Sequence, residues 1–157
     1  MHLLAEESIN IKRPVPDVFA YVTDMERFGD WFPGVLAIEP ANWLEHGQIG
    51  KEYLETVAVP LRGRRQISIV VRESQPGQFF ATEGKFTPLL PRMEVEFAPG
   101  EGGSCDLTWR MLSRNRGLAF RFTMLPVARK IMKKRAAIGL RRLRTKLEQR
   151  QNRAVIG

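Results

Sequence analysis

Few side chains in this sequence have the type and spacing that chemistry requires. There are two histidines, His2 and His46, and one cysteine, Cys105. A general base must be held within reach of the proton it takes. His46 falls beside Gly47 in a turn signal and His2 near the terminus, so neither is placed for a Ser-His-Asp relay. Asp106 follows Cys105 and its charge opposes thiolate formation, which makes the thiol a packing group. A single cysteine excludes an internal disulfide framework and cysteine-rich zinc sites. Two histidines leave little for a histidine site, so neither a metal nor a cofactor is expected. Gly100, Gly102 and Gly103 precede a strand rather than a helix, which makes them a hairpin turn and not a phosphate loop. Glu94 and Glu96 share the polar face of a strand, as solvated surface residues do.

Tyr53, Glu55 and Arg65 resist such an assignment. In the candidate strand 49–59, Tyr53, Glu55, Val57 and Val59 share a face. Around a hairpin near Leu61-Arg62-Gly63, parity joins that face to Arg65, Ile67, Ile69 and Val71. Centring the turn on position 62 puts Glu55 opposite Ile69 and about four rungs from Arg65, so no direct ion pair is implied. A buried charge without a partner is costly, so these residues need each other, water or a ligand. Two readings stand. Either Tyr53 and Glu55 orient a polar group of a ligand with Arg65 nearer the cavity end, or a bulge breaks the parity and the charges reach water.

The elements that position these residues follow from periodicity and punctuation. A strand is expected near 4–12, ended by Pro14. Pro16 suits the first turn of a helix that carries Val18, Phe19 and Val22 on one face. A second short helix near 24–31, capped by Asp24, bears Phe28, Trp31 and Phe32 and stops at Pro33-Gly34. Strands are expected at 35–45, 49–59, 64–73, 78–86, 92–98 and 105–114, joined by short turns into an antiparallel meander. Ile67, Ile69 and Val71 oppose Gln66, Ser68 and Arg72; Leu107, Trp109 and Met111 oppose Asp106, Thr108 and Arg110. One face is therefore apolar and the other wet. Beyond Gly117 the period becomes helical. Leu125, Ala128, Met132, Ala136, Gly139, Leu140, Leu143 and Leu147 fall within about 120° on a helix of about 25 residues. Pro126 belongs in its first turn, so the helix starts there or a break separates it from 117–124. The sum is an α+β architecture in which a curved sheet wraps a long C-terminal helix.

The chain has 157 residues, suited to one domain, 1–157, with a real core. No run reaches the roughly 20 apolar residues of a membrane span, and the N-terminus lacks signal-peptide features. A cytoplasmic, soluble protein is expected. The net charge of +8 is unevenly placed. Residues 1–106 hold 10 Lys and Arg against 16 Asp and Glu, whereas residues 107–157 hold 15 against Glu148 alone. Lys130, Lys133, Lys134, Arg135, Arg141 and Arg142 form the basic surface of the long helix, with Val127, Ile131 and Ile138 as an apolar ridge opposite its main stripe. Such a face suits an anionic membrane or an acidic protein surface; the alternative is a solvated face whose long side chains cover apolar neighbours. Nucleic acid is disfavoured, because the basic stretch has no interleaved aromatics and matches no groove-reading motif.

The opening Ile9-Asn10-Ile11-Lys12-Arg13-Pro14, the stretch from Val18 to Trp31, the glycine turn before Cys105-Asp106-Leu107-Thr108-Trp109 and the closing Leu140 to Glu148 together resemble the START-like, or SRPBCC, superfamily. That group includes Bet v 1-like proteins, polyketide cyclases and lipid or quinone carriers. The resemblance spans nearly the whole chain and implies a helix-grip fold, with two short helices after the first strand. It also implies a deep cavity between sheet and terminal helix for an apolar or amphipathic small molecule. Candidates for that cavity are Trp31 and Phe32 from the second short helix, Phe120, Phe122 and Met124 before the long one, Trp109, and Tyr53, Glu55, Arg65, Ile67 and Ile69. The leading expectation is a binding module for a lipid, quinone or polyketide-like molecule. A cyclase or dehydratase using Tyr53, Glu55 or Arg65 is the enzymatic alternative, and interaction through the basic helix is the third. Fold alone does not choose among them.

Overall fold

The computed structural model describes residues 1–156, with side chains through Arg150. β1 (His2–Ile11) leads into α1 (Val15–Thr23), a 3₁₀ turn (Met25–Arg27) and α2 (Phe28–Trp31). Then come β2 (Val35–Pro40), β3 (Glu52–Val59), β4 (Gly63–Gln75), β5 (Phe79–Lys85), β6 (Pro91–Pro99) and β7 (Cys105–Ser113). α3 (Leu118–Thr123) and α4 (Leu125–Ile156) complete the chain. All seven strands pair antiparallel in the order β1-β7-β6-β5-β4-β3-β2. This is the curved sheet and terminal helix of a helix-grip fold. No helix among the described residues is long and apolar enough to cross a membrane.

Alternation sorts the two faces as the pattern predicts. Leu107, Trp109 and Met111 of β7, Met93, Val95 and Phe97 of β6 and Ile67, Ile69 and Val71 of β4 point to the core. The outer face is laced by ion pairs. Arg92 reaches Glu73, Glu83 and Glu94 at 2.8–3.1 Å, and Arg110 joins Glu6 and Glu96. Glu94, expected to be solvated, is thus partly shielded by Arg92, whereas the Glu96 side chain keeps about half its exposure.

Three local expectations are revised. Strand β2 stops at Pro40, five residues early, because Asn42 captures the following loop: its amide donates to the Gly50 carbonyl and its oxygen accepts from the Glu52 N–H. Asp24 holds the N-cap position of the 3₁₀ turn, but its side chain makes no capping bond; its carboxylate pairs with Arg27 at 3.2 Å instead. The β3–β4 turn centres on Leu61, one residue before the expected position. Val59 pairs with Gly63, so Glu55 stands opposite Ile67 and Arg65 opposite Val57. Parity survives because the shift moves the register by two.

The helix break falls at Met124, and Pro126 takes the first turn of α4. Leu125, Ala136, Leu140, Leu143 and Leu147 are buried along the predicted stripe. Gly139 lets α4 lie close on α2: a Cβ there would sit 3.1 Å from the Phe32 ring. Arg129 donates to the Leu3 carbonyl and Arg13 to the Leu147 carbonyl, which ties both ends of the helix to β1 or its neighbour.

Candidate functional site

The sheet closes on α4 at one end and stands off from it at the other. At the closed end Phe28, Trp31, Phe32 and Trp109 interlock, with ring centroids 5.0–6.0 Å apart. At the open end lies a cavity of about 550 Å³, within the range of small-molecule sites. Phe28 and Phe32 form its floor, and Val57, Ile67, Ile69 and Met93 its sheet wall. Ala128, Ile131 and Met132 of α4 form its roof. The mouth is bounded by the hairpin tip Pro60–Arg62, by residues 86–89 and by residues 123–127.

Behind the exposed Arg62 and Arg65 of the mouth, two ionisable groups break the apolar lining. Glu55 is only 4% exposed. Burial alone pushes its carboxyl up from 4.5 to about 7, with no compensating cation or donor. Arg135, half-buried, arches over Gly34 and donates to the Ala58 carbonyl at 3.2 Å. Burial lowers its affinity for the proton, and it has no carboxylate partner among the described residues. Gly34 has φ +88°, and a Cβ there would lie 2.5 Å from the Arg135 guanidinium. The backbone conformation thus favours glycine, and the Arg135 guanidinium occupies the space a side chain would take. The two charged groups are not a pair, since Glu55 feels no pull from Arg135. Thr82, buried on β5, adds a hydroxyl to the same wall.

Of the expected cavity residues, Phe32, Glu55, Arg65, Ile67, Ile69, Phe120 and Met124 border the hollow. Arg65 does so from the exposed mouth. Trp31 and Trp109 are fully packed at the closed end, where the aromatic cluster leaves no space for a ligand. Phe122 lies on the rim, 75% exposed, because α3 turns Phe120 inward instead. Tyr53 shares the face of Glu55 but is sequestered. Its hydroxyl lies 2.6 Å from His46 Nδ1, while His46 Nε2 sits 3.2 Å from Asp24 and 3.1 Å from Glu26. The tautomer that suits these neighbours has Nε2–H facing the two carboxylates and the tyrosine donating to Nδ1. Burial raises the Tyr53 pKa, an effect partly opposed by the nearby Met25 N–H. His46 therefore clasps the β2–β3 loop to the 3₁₀ turn, away from the cavity.

Lys130, Lys133, Lys134, Arg141 and Arg142 are exposed on α4. Arg135 leaves that surface for the cavity. Its spacing holds the signal: seven residues after Ala128, it returns to the same side of the helix. The ridge of Val127, Ile131 and Ile138 does not form as drawn. The cavity separates the first turns of α4 from the sheet, so Val127 and Ile131 reach it from the flanks of the stripe. Phe28 and Thr82 also border the cavity, although their sequence context carries no signal for it. Cys105 is buried, its thiol pushed up to about 11 chiefly by burial, as suits a packing group.

The family model described as polyketide cyclase/dehydrase and lipid transport matches residues 2–148. No curated protein matches the chain. Among solved structures, the protein TTHA0849 from Thermus thermophilus superposes with a TM-score of 0.71 at 13% identity, over 92% of this chain and 97% of that one. A START superfamily protein from Mycobacterium smegmatis gives 0.69 at 12% identity, over 95% and 99%. The di-domain ARO/CYC StfQ from the steffimycin biosynthetic pathway gives 0.70 at 13% identity, over 94% of this chain. The chain spans about half the length of that di-domain protein, 51%. At these identities the likeness establishes the fold.

Proposed function

Given that the chain belongs to the family of polyketide cyclases, dehydrases and lipid transporters, we propose that residues 1–157 act as one domain that binds a largely apolar small molecule in the cavity under α4. The ligand is a lipid, quinone or polyketide-like ring system, and it carries an acidic group at one end. The observation behind this reading is a hollow of about 550 Å³ whose apolar wall holds a buried carboxyl and a half-buried guanidinium, neither with a charged partner among the described residues. A half-buried guanidinium held by one carbonyl alone lacks a counter-charge, and an acidic ligand group supplies it. Near neutrality the Glu55 carboxyl is protonated in part of the molecules, and its O–H donates to a carbonyl or hydroxyl oxygen of the ligand. Ala58, which holds Arg135, lies three residues from Glu55 on β3, so the backbone positions beside the two anchors are about 10 Å apart.

The probe pair 8-anilino-1-naphthalenesulfonate and uncharged N-phenyl-1-naphthylamine tests this. Both should fluoresce on binding, and Arg135→Met should weaken the sulfonate about tenfold while sparing the neutral probe. Binding of neither probe, or equal loss of both, refutes the reading. One observation favours a second reading, cyclase or dehydratase activity: a carboxyl with a pKa of about 7 is tuned for proton transfer near neutral pH. On that reading Glu55→Gln abolishes turnover and preserves binding.

A further inference from the structure

We propose that the mouth of the cavity docks on an anionic phospholipid bilayer, with Leu61 and Phe122 as the side chains that enter it. This goes beyond the ligand reading, because it concerns the surface around the opening and not what fills the hollow. Among the described residues eleven large apolar side chains are exposed; three of them, Leu61, Met124 and Val127, border the mouth, and two more, Leu118 and Phe122, lie on α3, which leads directly into it. Clustered exposure of this kind marks an interaction surface more than scattered single residues do.

Leu61 is the sharpest case. It stands at the tip of the β3–β4 hairpin, 106% exposed. Pro60 and Leu61 occupy the middle of a turn closed by the Arg62 N–H donating to the Val59 carbonyl, and Leu61 has φ +64°. That position favours glycine or asparagine. A leucine there opposes both solvation and backbone preference, so neither explains it.

Charge names the partner. The segments 56–72, 84–91 and 114–135, which carry the mouth, contain no aspartate or glutamate. Arg62, Arg64 and Arg65 flank Leu61, and the Arg121 guanidinium lies over the Phe122 ring, 5.8 Å from its centroid. Apolar tips within a cationic collar match the interface of a bilayer with anionic headgroups. The basic pair Arg141 and Arg142 stands about 24 Å farther along α4 from Leu125, so docking by the mouth leaves it at the margin.

Vesicle flotation tests the proposal with phosphatidylcholine alone and phosphatidylcholine mixed with phosphatidylglycerol, at low and raised salt. The protein should float with the mixed vesicles at low salt and weaken as salt rises. Leu61→Asn and Phe122→Glu should each reduce binding about tenfold. Leu61→Asn should also fold at least as stably as the parent, since asparagine tolerates the turn better. Trp43→Glu, at a side chain 89% exposed outside the mouth, and Arg141→Glu should change binding less than threefold. Failure to float, floating unaffected by Leu61→Asn and Phe122→Glu, equal loss with Trp43→Glu, or retention only on poly-glutamate overturns it. N-phenyl-1-naphthylamine titration of each variant keeps the two proposals apart, because loss of that signal reports the cavity and not docking.

Discussion

Tyr53 and Glu55 stand two residues apart on one face of β3, both buried, yet the two ends of the molecule treat them oppositely. At the closed end Tyr53 is surrounded by partners: His46, the Met25 N–H and packed rings. At the open end Glu55 faces the hollow with none. The same strand therefore passes from a region built for stability to one whose polar group is left for something else. Burial alone does not distinguish scaffold from site, and neither does a missing partner alone, since Trp109 Nε1 at the closed end has none; an ionisable group that lacks a partner and borders a hollow does.

The contrast can be broken by measurement. Trp109→Ala at the closed end should cost ~3–5 kcal/mol in urea denaturation, as expected for a large void in a packed core. Phe86→Ala on the cavity wall should cost less than half of that, because the ring already borders empty space. Equal losses would erase the distinction between the two ends.

Glu55 gives the next largest effect, and it depends on pH. Its carboxyl holds the proton more tightly when folded than when unfolded, with a folded pKa of about 7 against 4.5. Its stabilising contribution is thus complete below pH 4.5, declines as pH rises and is gone above pH 7. Glu55→Gln should match the parent at pH 4.5 and exceed its stability at pH 8 by up to about 3 kcal/mol. A parent and variant with parallel pH profiles would mean that the carboxyl is solvated. Tyr53→Phe should act in the opposite direction and more weakly. Leaving His46 and the Met25 N–H without the hydroxyl should cost about 1–2 kcal/mol at neutral pH, read as a lowered urea midpoint.

The fold was legible because alternation and helical periodicity are strong in this chain. The cores of β4, β6 and β7 and the stripe of α4 are repeated signals that small boundary errors do not erase. Glu55 could be found for a related reason: parity tolerates a turn displaced by one residue, since the register then shifts by two. What could not be read was depth along the groove. Trp31, Trp109, Phe32 and Phe120 all read as aromatic residues bordering a hollow, and only the distance between sheet and helix separates filled from open. Arg135 was assigned to the charged surface by its type, although its spacing from Ala128 places it inward. His46 was set aside as a turn residue; its clasp depends on Asp24, Glu26 and Tyr53 meeting from separate segments, which no local pattern reveals.

The strand order bears on how the molecule assembles. β1 is bonded to β7 and β2 to β3, so the first two strands made in the chain finish at opposite edges. From β2 to β7 each strand can zip onto its predecessor through a nearby hairpin, whereas Ile11 must find Cys105 across most of the chain. Long closures of this kind slow folding. Joining Ile11 to Cys105 closes a loop of 94 residues, in the longest-range strand pairing of the sheet, so the edge that seals the concave wall is the one with the greatest entropy to overcome.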